Sequence, residues 1–336
     1  MDRCGTVLSS LAQTVARACE AAGGPARAAT DVVGDARVLE DTEARLSFAA
    51  YAKIWTACGE ASGDPSFGLN AAKRSLQAGT FGVVGFMARS APTLGDALDC
   101  AVRHGAIVNE TSKTQVFVDG DIAVIRDGPA DPGTRWPRHK AEFVMAAYLL
   151  LTLEWAGLGR QPVSVSFRHA APSRLEEHHA LFGSNVSFGA RHNEMRFPAS
   201  WLRRPMSTAE PALFAFLDRR AVELGANLSA DRDLLAEIRR VVVDGLASGP
   251  PSLEQVARTL GTGHRTLQRR LQHHGTSYRD LLDELRFQQC RRLLLDDGLT
   301  IDHVSSMLGF SEARAFRRAV RRWSGLSPRG LREHLS

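Results

Sequence analysis

Cysteine is scarce in this 336-residue chain, and what there is stands badly for chemistry. Cys4, Cys19, Cys58, Cys100 and Cys290 are scattered, with no C-x-x-C pair and no regular spacing. That pattern argues against a zinc site or a disulfide framework and suits a reducing compartment. The adjacent pairs His178-His179 and His273-His274 would diverge by about 100 degrees on a helix, so neither forms a chelate and no metal is expected. No apolar run approaches the roughly 20 residues needed to span a bilayer. Met1-Asp2-Arg3-Cys4 lacks the basic start and apolar core of a secretory signal, so no membrane is expected and the cytoplasm is the default location. Also missing are a Gly-x-Ser-x-Gly elbow, a phosphate-cradling Gly-Lys-Ser/Thr loop and a His-Glu-x-x-His pair. No cysteine has the setting that methyl transfer would require. The chain is therefore not expected to be an enzyme or to hold a cofactor.

What is present is a globular composition, with 44% hydrophobic and 24% charged residues, in a length that suits two domains. The net charge of +5 is unevenly spread. From Gly249 to Ser336 there are 15 Arg and no Lys against 9 Asp and Glu, a net of +6, so the other 248 residues carry about −1. A polyanion would be met by that last quarter. An Arg-rich solvated helical surface gives the same count, so pattern must decide.

The pattern is an internal repeat. Ser252-Leu-Glu-Gln-Val-Ala-Arg-Thr-Leu-Gly261 matches Thr300-Ile-Asp-His-Val-Ser-Ser-Met-Leu-Gly309 at an offset of 48 residues. Each copy opens with a hydroxyl N-cap and has an acid two positions later, at the positive end of a helix. Each places apolar residues on one face (Leu253, Val256, Leu260; Ile301, Val304, Leu308) and ends in Gly, which tolerates a left-handed C-cap. A second helix follows each Gly. These are about His264 to His274, with Leu267 and Leu271 inward, and Glu312 to Trp323, with Phe316 and Val320 inward. Helix, Gly turn, helix is the helix-turn-helix pattern, whose second helix enters the major groove. Between the copies, Ser277 to Leu295 reads as one long amphipathic helix that would set their separation. Phe310, Phe316 and Trp323 fall on apolar faces and read as core.

Upstream, Asp231 to Leu246 is a further helix, and Gly249-Pro250-Pro251 breaks the chain after it. Gly225, Asn227 and Ser229 place a junction nearby, giving domains 1–224 and 231–336 with a linker at 225–230. The first domain reads as mixed α and β. Its helical stretches are Leu8 to Ala22, Glu43 to Ala57, Thr93 to Ala106, Ala141 to Ala156 and Leu213 to Leu224. Its strand-like stretches are Gln115 to Val118, Ile122 to Arg126, Val163 to Phe167, Val186 to Phe188 and Glu194 to Phe197. Thr93 with Asp96 forms a capping box, and Asp119-Gly120 favours a hairpin turn.

The strings Leu260-Gly261, Arg265-Thr-Leu-Gln-Arg-Arg-Leu271, Gly275-Thr-Ser-Tyr278, Arg286, Leu308-Gly-Phe310, Phe316-Arg-Arg-Ala319, Arg322-Trp323 and Gly325-Leu-Ser-Pro328 closely resemble the AraC/XylS family of transcription activators. The resemblance runs from about Asp231 to Leu335. It implies a seven-helix domain with two helix-turn-helix units that read adjacent major-groove segments of promoter DNA. Thr80 to Leu98 is similar to the large arabinose-binding-type effector or dimerisation domain of one branch of that family. The fold expected is thus an α+β N-terminal domain followed by an all-α DNA-binding domain with two units joined by a long helix. Two departures stand out: Gly263 replaces the family's usual Ser cap, and Cys290 stands at a small-residue position, as buried filler or as a redox sensor.

Matched by position, the resemblance makes His264, Arg265, Gln268 and Arg269 the groove-facing residues of the first unit, and Ala313, Arg314, Arg317 and Arg318 those of the second. Arg suits guanine and Gln suits adenine, so the first unit has the side chains of a reader. The second leans on arginine alone. Arg270, Arg321 and Arg322 would contact phosphate, which positions without specifying. The partners implied are promoter DNA, RNA polymerase, a small-molecule effector of unstated identity and a second copy of the chain. Alternatives are an N-terminal domain that only dimerises, or an enzyme fused to a DNA-binding domain. Arg89, His104, Trp136 and His139 could line a pocket, cap helices or sit at the surface.

Overall fold

The computed structural model describes residues 5–34, 36–131, 133–159, 163–274, 276–296 and 298–335. Cys4, with the rest of the first four residues, and Gly275 lie outside them. The chain forms two compact units that divide between Asn227 and Leu228.

The first unit opens with β1 (Thr6–Leu8), α1 (Ser9–Ala21), α2 (Arg27–Val33), α3 (Arg37–Glu40) and β2 (Arg45–Ser47). Then come α4 (Phe48–Ser62), α5 (Phe67–Ser75), α6 (Gly82–Ser90) and α7 (Leu94–Val108). A five-stranded sheet follows in the order β3–β4–β7–β5–β6, built from β3 (Ser112–Asp119), β4 (Ile122–Pro129), β5 (Ser164–Ser166), β6 (Val186–Ser187) and β7 (Asn193–Pro198). Its pairs are antiparallel except β5 with β6. Between β4 and β5 runs α8 (Arg138–Trp155), and α9 (Glu176–Phe182) precedes β6.

Local chemistry explains several boundaries. Thr93 Oγ1 accepts from the Asp96 amide at 3.2 Å while the Asp96 carboxylate accepts from the Thr93 amide at 3.1 Å, so α7 starts on the expected capping box. Gly120, at φ +59°, turns the β3–β4 hairpin. The stretch from Glu43, expected as helix, begins instead as β2, and α4 starts only after Ser47 caps the Ala50 amide at 3.2 Å. β2 pairs with β1 around a buried Arg45, whose guanidinium donates to the Ile107 carbonyl at 2.6 Å and lies 4.0 Å from the Glu110 carboxylate. The interior strand β4 is apolar on both faces, with Ala123, Val124 and Ile125 fully buried.

Helix α10 (Pro211–Gly245) runs through residues 225–230, so the expected helices Leu213 to Leu224 and Asp231 to Leu246 are one element. Gly225 and Ser229 weaken a helix by under about 1 kcal/mol each and do not break it. In the second unit Ile238 and Val242 of α10 enter a separate core, joined by six further helices. These are α11 (Leu253–Thr259), α12 (His264–His273), α13 (Tyr278–Leu294), α14 (Ile301–Met307), α15 (Ala313–Ser324) and α16 (Pro328–Leu335). Cys290 is fully buried in that core beside Leu285 and Leu294, and burial pushes its thiol up to about 12. A thiol so placed is packing filler, since the reactive form is the thiolate.

Candidate DNA interface and a buried cavity

The repeat is built twice with the same local bonds. Ser252 accepts from the Gln255 amide and Thr300 from the His303 amide, each at 3.2 Å. Gly261 (φ +62°) and Gly309 (φ +69°) end α11 and α14 in the left-handed region, and the next residue's amide bonds back to Ala257 and to Ser305. At Gly309 a Cβ would lie 2.4 Å from the Leu246 carbonyl oxygen, whereas at Gly261 it would meet nothing within 4 Å.

Each second helix then shows one apolar and one basic face. In α12, Leu267 and Leu271 are buried, and His264, Arg265, Gln268, Arg269 and Arg270 are exposed. In α15, Phe316, Ala319 and Val320 are buried, and Arg314, Arg317, Arg318, Arg321 and Arg322 are exposed. Residues three and four apart share a helical face, so Arg265, Gln268 and Arg269 form one row and Arg314, Arg317 and Arg318 another. Two of the three arginines expected at phosphate also meet acids of the chain. Arg270 Nε is 3.7 Å from Asp231 Oδ1, and Arg322 Nη2 donates to Asp283 Oδ2 at 2.7 Å. Gly263 starts α12 with no side-chain cap. Phe310, Phe316 and Trp323 pack together at centroid distances of 5.5 and 6.2 Å, as the core reading expects.

What sequence reasoning missed here is Arg286 as a brace. Its guanidinium donates to the Leu308 and Gly309 carbonyls, each at 3.1 Å, and stacks 4.4 Å over Phe310. Arg332 does the same for the end of α13, donating to the Leu294 carbonyl at 3.1 Å. Carbonyls at a helix C-terminus have no intrahelical partner, so these two arginines satisfy groups that burial would leave bare.

The first unit has a partly open cavity of about 140 Å³ between α6, α7, α8 and the β3–β4 hairpin. Its wall is mostly apolar, with Val84, Leu98, Phe143 and Leu151 among the lining, and carries Thr114, Asp127, Lys140 and Tyr148. None of Arg89, His104, Trp136 and His139 is in that lining. Arg89 is exposed; His104 Nε2 is 3.3 Å from Asp218 Oδ1; Trp136 lies beneath the Lys140 ammonium. His139 joins a separate cluster around Glu142.

Glu142 is fully buried, and its carboxylate accepts from Arg138 at 3.0 Å, His178 Nε2 at 3.0 Å and His139 Nδ1 at 3.2 Å. Burial alone would push this carboxyl up, but the bonds from His139 and His178 and the charge of Arg138 together hold it down at about 2. No metal-ligand cluster and no helix long and apolar enough to cross a membrane occurs among the described residues.

A family model described as the arabinose-binding domain of AraC transcription regulators, N-terminal, matches residues 23–206, more than half of the chain. A helix-turn-helix domain model matches residues 256–334. The Ornithine utilization regulator of Pseudomonas aeruginosa is 28% identical over 88% of this chain and 87% of that protein. The HTH-type transcriptional regulator VirS of Mycobacterium tuberculosis is 28% identical over 87% of this chain and 86% of its own length. Among solved structures, the transcriptional regulator CdpR from P. aeruginosa aligns with 80% of this chain and 87% of its own at 25% identity and a TM-score of 0.39. The curated relatives are named as regulators, not as enzymes. The chain belongs to the AraC family of DNA-binding transcription regulators, in the branch with an arabinose-binding-type N-terminal domain.

Proposed function

We propose that this regulator is a promoter-specific activator whose two units divide the work, the first reading bases and the second anchoring on the backbone. The observation that carries this is the exposed row His264, Arg265, Gln268 and Arg269, opposite the buried Leu267 and Leu271 of α12. That row combines the side chains that pair with guanine and adenine in the major groove. The second row, Arg314, Arg317 and Arg318, has Ala313 at its head and offers charge with little else, which suits anchoring. Arg321, with Arg270 and Arg322, adds phosphate contacts. The latter two give up their ion pairs to Asp231 and Asp283 when a phosphate replaces the carboxylate.

In the same proposal residues 1–224 sense a small-molecule effector and dimerise, residues 225–230 join the parts, residues 231–336 bind DNA, and RNA polymerase is the partner at the promoter. The cavity supports sensing over mere dimerisation, because a domain that only dimerises has no need of an apolar hollow lined by the buried Lys140 and Asp127. A relative named for ornithine utilisation fits a metabolite-responsive role.

The test is Arg269→Ala, titrated against a cognate site and against random DNA. A lost bidentate base contact costs about 1–3 kcal/mol at the cognate site alone. Equal weakening on both DNAs would assign Arg269 to phosphate and overturn the reading role.

A further inference from the structure

The cavity of the first unit holds two buried charged groups that their neighbours leave incomplete. Lys140 of α8 is 1% exposed and Asp127 of β4 is 4% exposed, and both line the hollow. The Lys140 ammonium lies over the Trp136 ring, a contact that favours a cation, yet among the described residues nothing accepts a hydrogen bond from it. Asp127 Oδ2 accepts from Thr114 Oγ1 at 2.5 Å and Tyr148 Oη at 2.9 Å, while among the described residues nothing donates to Oδ1. No direct salt bridge joins Lys140 to Asp127 among the described contacts. Buried ions left without hydrogen bonds are costly, and proteins rarely keep them without a use. Burial drives the lysine below its ordinary range against the pull of Asp127. Burial likewise drives Asp127 up against Lys140 and its two hydroxyl donors.

The rest of the wall sets the shape of what fits. Val84, Leu98, Phe143, Val144 and Leu151 make it apolar. A hollow of about 140 Å³ is close to the roughly 150 Å³ apolar cavity that holds benzene, so a small ligand of about six carbons in all suits it. A plain carboxylate would answer Lys140 but add a second anion near Asp127. A plain amine would answer Asp127 but add a second cation near Lys140. A molecule carrying both charged groups on one carbon answers both and leaves the site neutral.

Resting on the effector reading above, we propose that the ligand of this cavity is a zwitterionic α-amino acid with an aliphatic or aromatic side chain. Its carboxylate accepts from Lys140, its ammonium donates to Asp127 Oδ1, and its side chain fills the apolar hollow.

The test uses the full chain. Thermal unfolding and calorimetric titration are run with L-leucine and L-phenylalanine, with the desamino acids 4-methylpentanoate and 3-phenylpropionate, and with the amines 3-methylbutylamine and 2-phenylethylamine. The expected result is saturable binding and a raised Tm for an amino acid and for neither partial analogue at equal concentration. Lys140→Met and Asp127→Asn should each weaken that binding by about ten- to a hundredfold, the range for a lost charge-assisted bond. A desamino acid or an amine that binds as tightly as the amino acid overturns the ligand class and leaves effector sensing standing. The cavity-filling Ala147→Phe variant, checked for folding by near-ultraviolet circular dichroism with Ala147→Leu as its milder substitute, separates the two readings. If no probe binds but filling the cavity abolishes activation of a bound promoter, the zwitterion is wrong and sensing stands. If no probe binds and filling leaves activation unchanged, sensing itself is overturned.

Discussion

Arg286 Nη2 donates to the Gly309 carbonyl at 3.1 Å, so the helix between the two DNA-binding units clasps the turn of the second one. Its Nε holds the Leu308 carbonyl at the same distance, and its guanidinium covers Phe310. The residue is half-buried, and burial lowers its pKa without removing the charge, since Arg stays protonated at any working pH.

Arg286→Met keeps most of the packing and deletes both donors. Two carbonyls at a helix end then lose their partners, which costs about 1–3 kcal/mol of stability. Urea unfolding of the chain should show the loss in the second unit's transition, and DNA affinity should fall although Arg286 is given no contact with DNA. A variant with unchanged unfolding and unchanged affinity would show that the clasp has no energetic role.

The two repeat glycines allow a paired experiment. Both sit at positive φ, where a Cβ costs roughly 1–2 kcal/mol. Gly261→Ala should cost about that much, because its Cβ would meet nothing within 4 Å. Gly309→Ala should cost clearly more, because its Cβ would press to 2.4 Å from the Leu246 carbonyl oxygen and 2.9 Å from Pro250. Equal midpoint shifts in urea for the two variants would refute the close approach.

The C-terminal unit was legible in the sequence because its determinants are local. N-cap, acid, apolar face and Gly recur within ten residues, and each does in the fold what its chemistry requires. In the N-terminal unit the determinants are distant. Strands β1 and β2 are three residues each, too short to show alternation, and Arg45 joins partners 39 and 62 residues away. Lys140 and Glu142 stand in the first turns of α8 beside Arg138, where charged residues normally mark a solvated face. The packing of α4, α5, the sheet and the segment around His178 buries them. Asp127 is hidden for the same reason, at the end of a strand whose partner hydroxyls come from β3 and α8.

Glu142 should leave a mark on acid stability. Its carboxyl is held at about 2 in the fold, against roughly 4.3 in an unfolded chain. A depressed carboxyl contributes stability that is fully present above the unfolded value and is lost as pH falls through the folded one. The stabilisation is of the order of 3 kcal/mol, so the Tm of the natural chain should fall between about pH 4.5 and pH 2. Glu142→Gln should be less stable at pH 7, and the gap between the two proteins should close over that window. A gap that stays constant from pH 7 to pH 2 would mean that the histidine and arginine contacts do not stabilise the carboxylate.

Arg317 tests the unequal division between the units from the other side. It is exposed on α15 and stands one turn from Arg314 and beside Arg318, with no hydrogen-bonding amide side chain in its row comparable to Gln268. A phosphate contact releases counterions and is blind to sequence, so Arg317→Ala should weaken cognate and random DNA by the same factor and lower the salt slope by about 1. Base reading predicts instead a loss confined to the cognate site with the salt slope nearly kept. Titrations of both DNAs at three or more salt concentrations separate the two. If Arg317→Ala behaves as Arg269→Ala is expected to, losing only the cognate site, then both units read sequence and the anchoring role assigned to α15 is wrong.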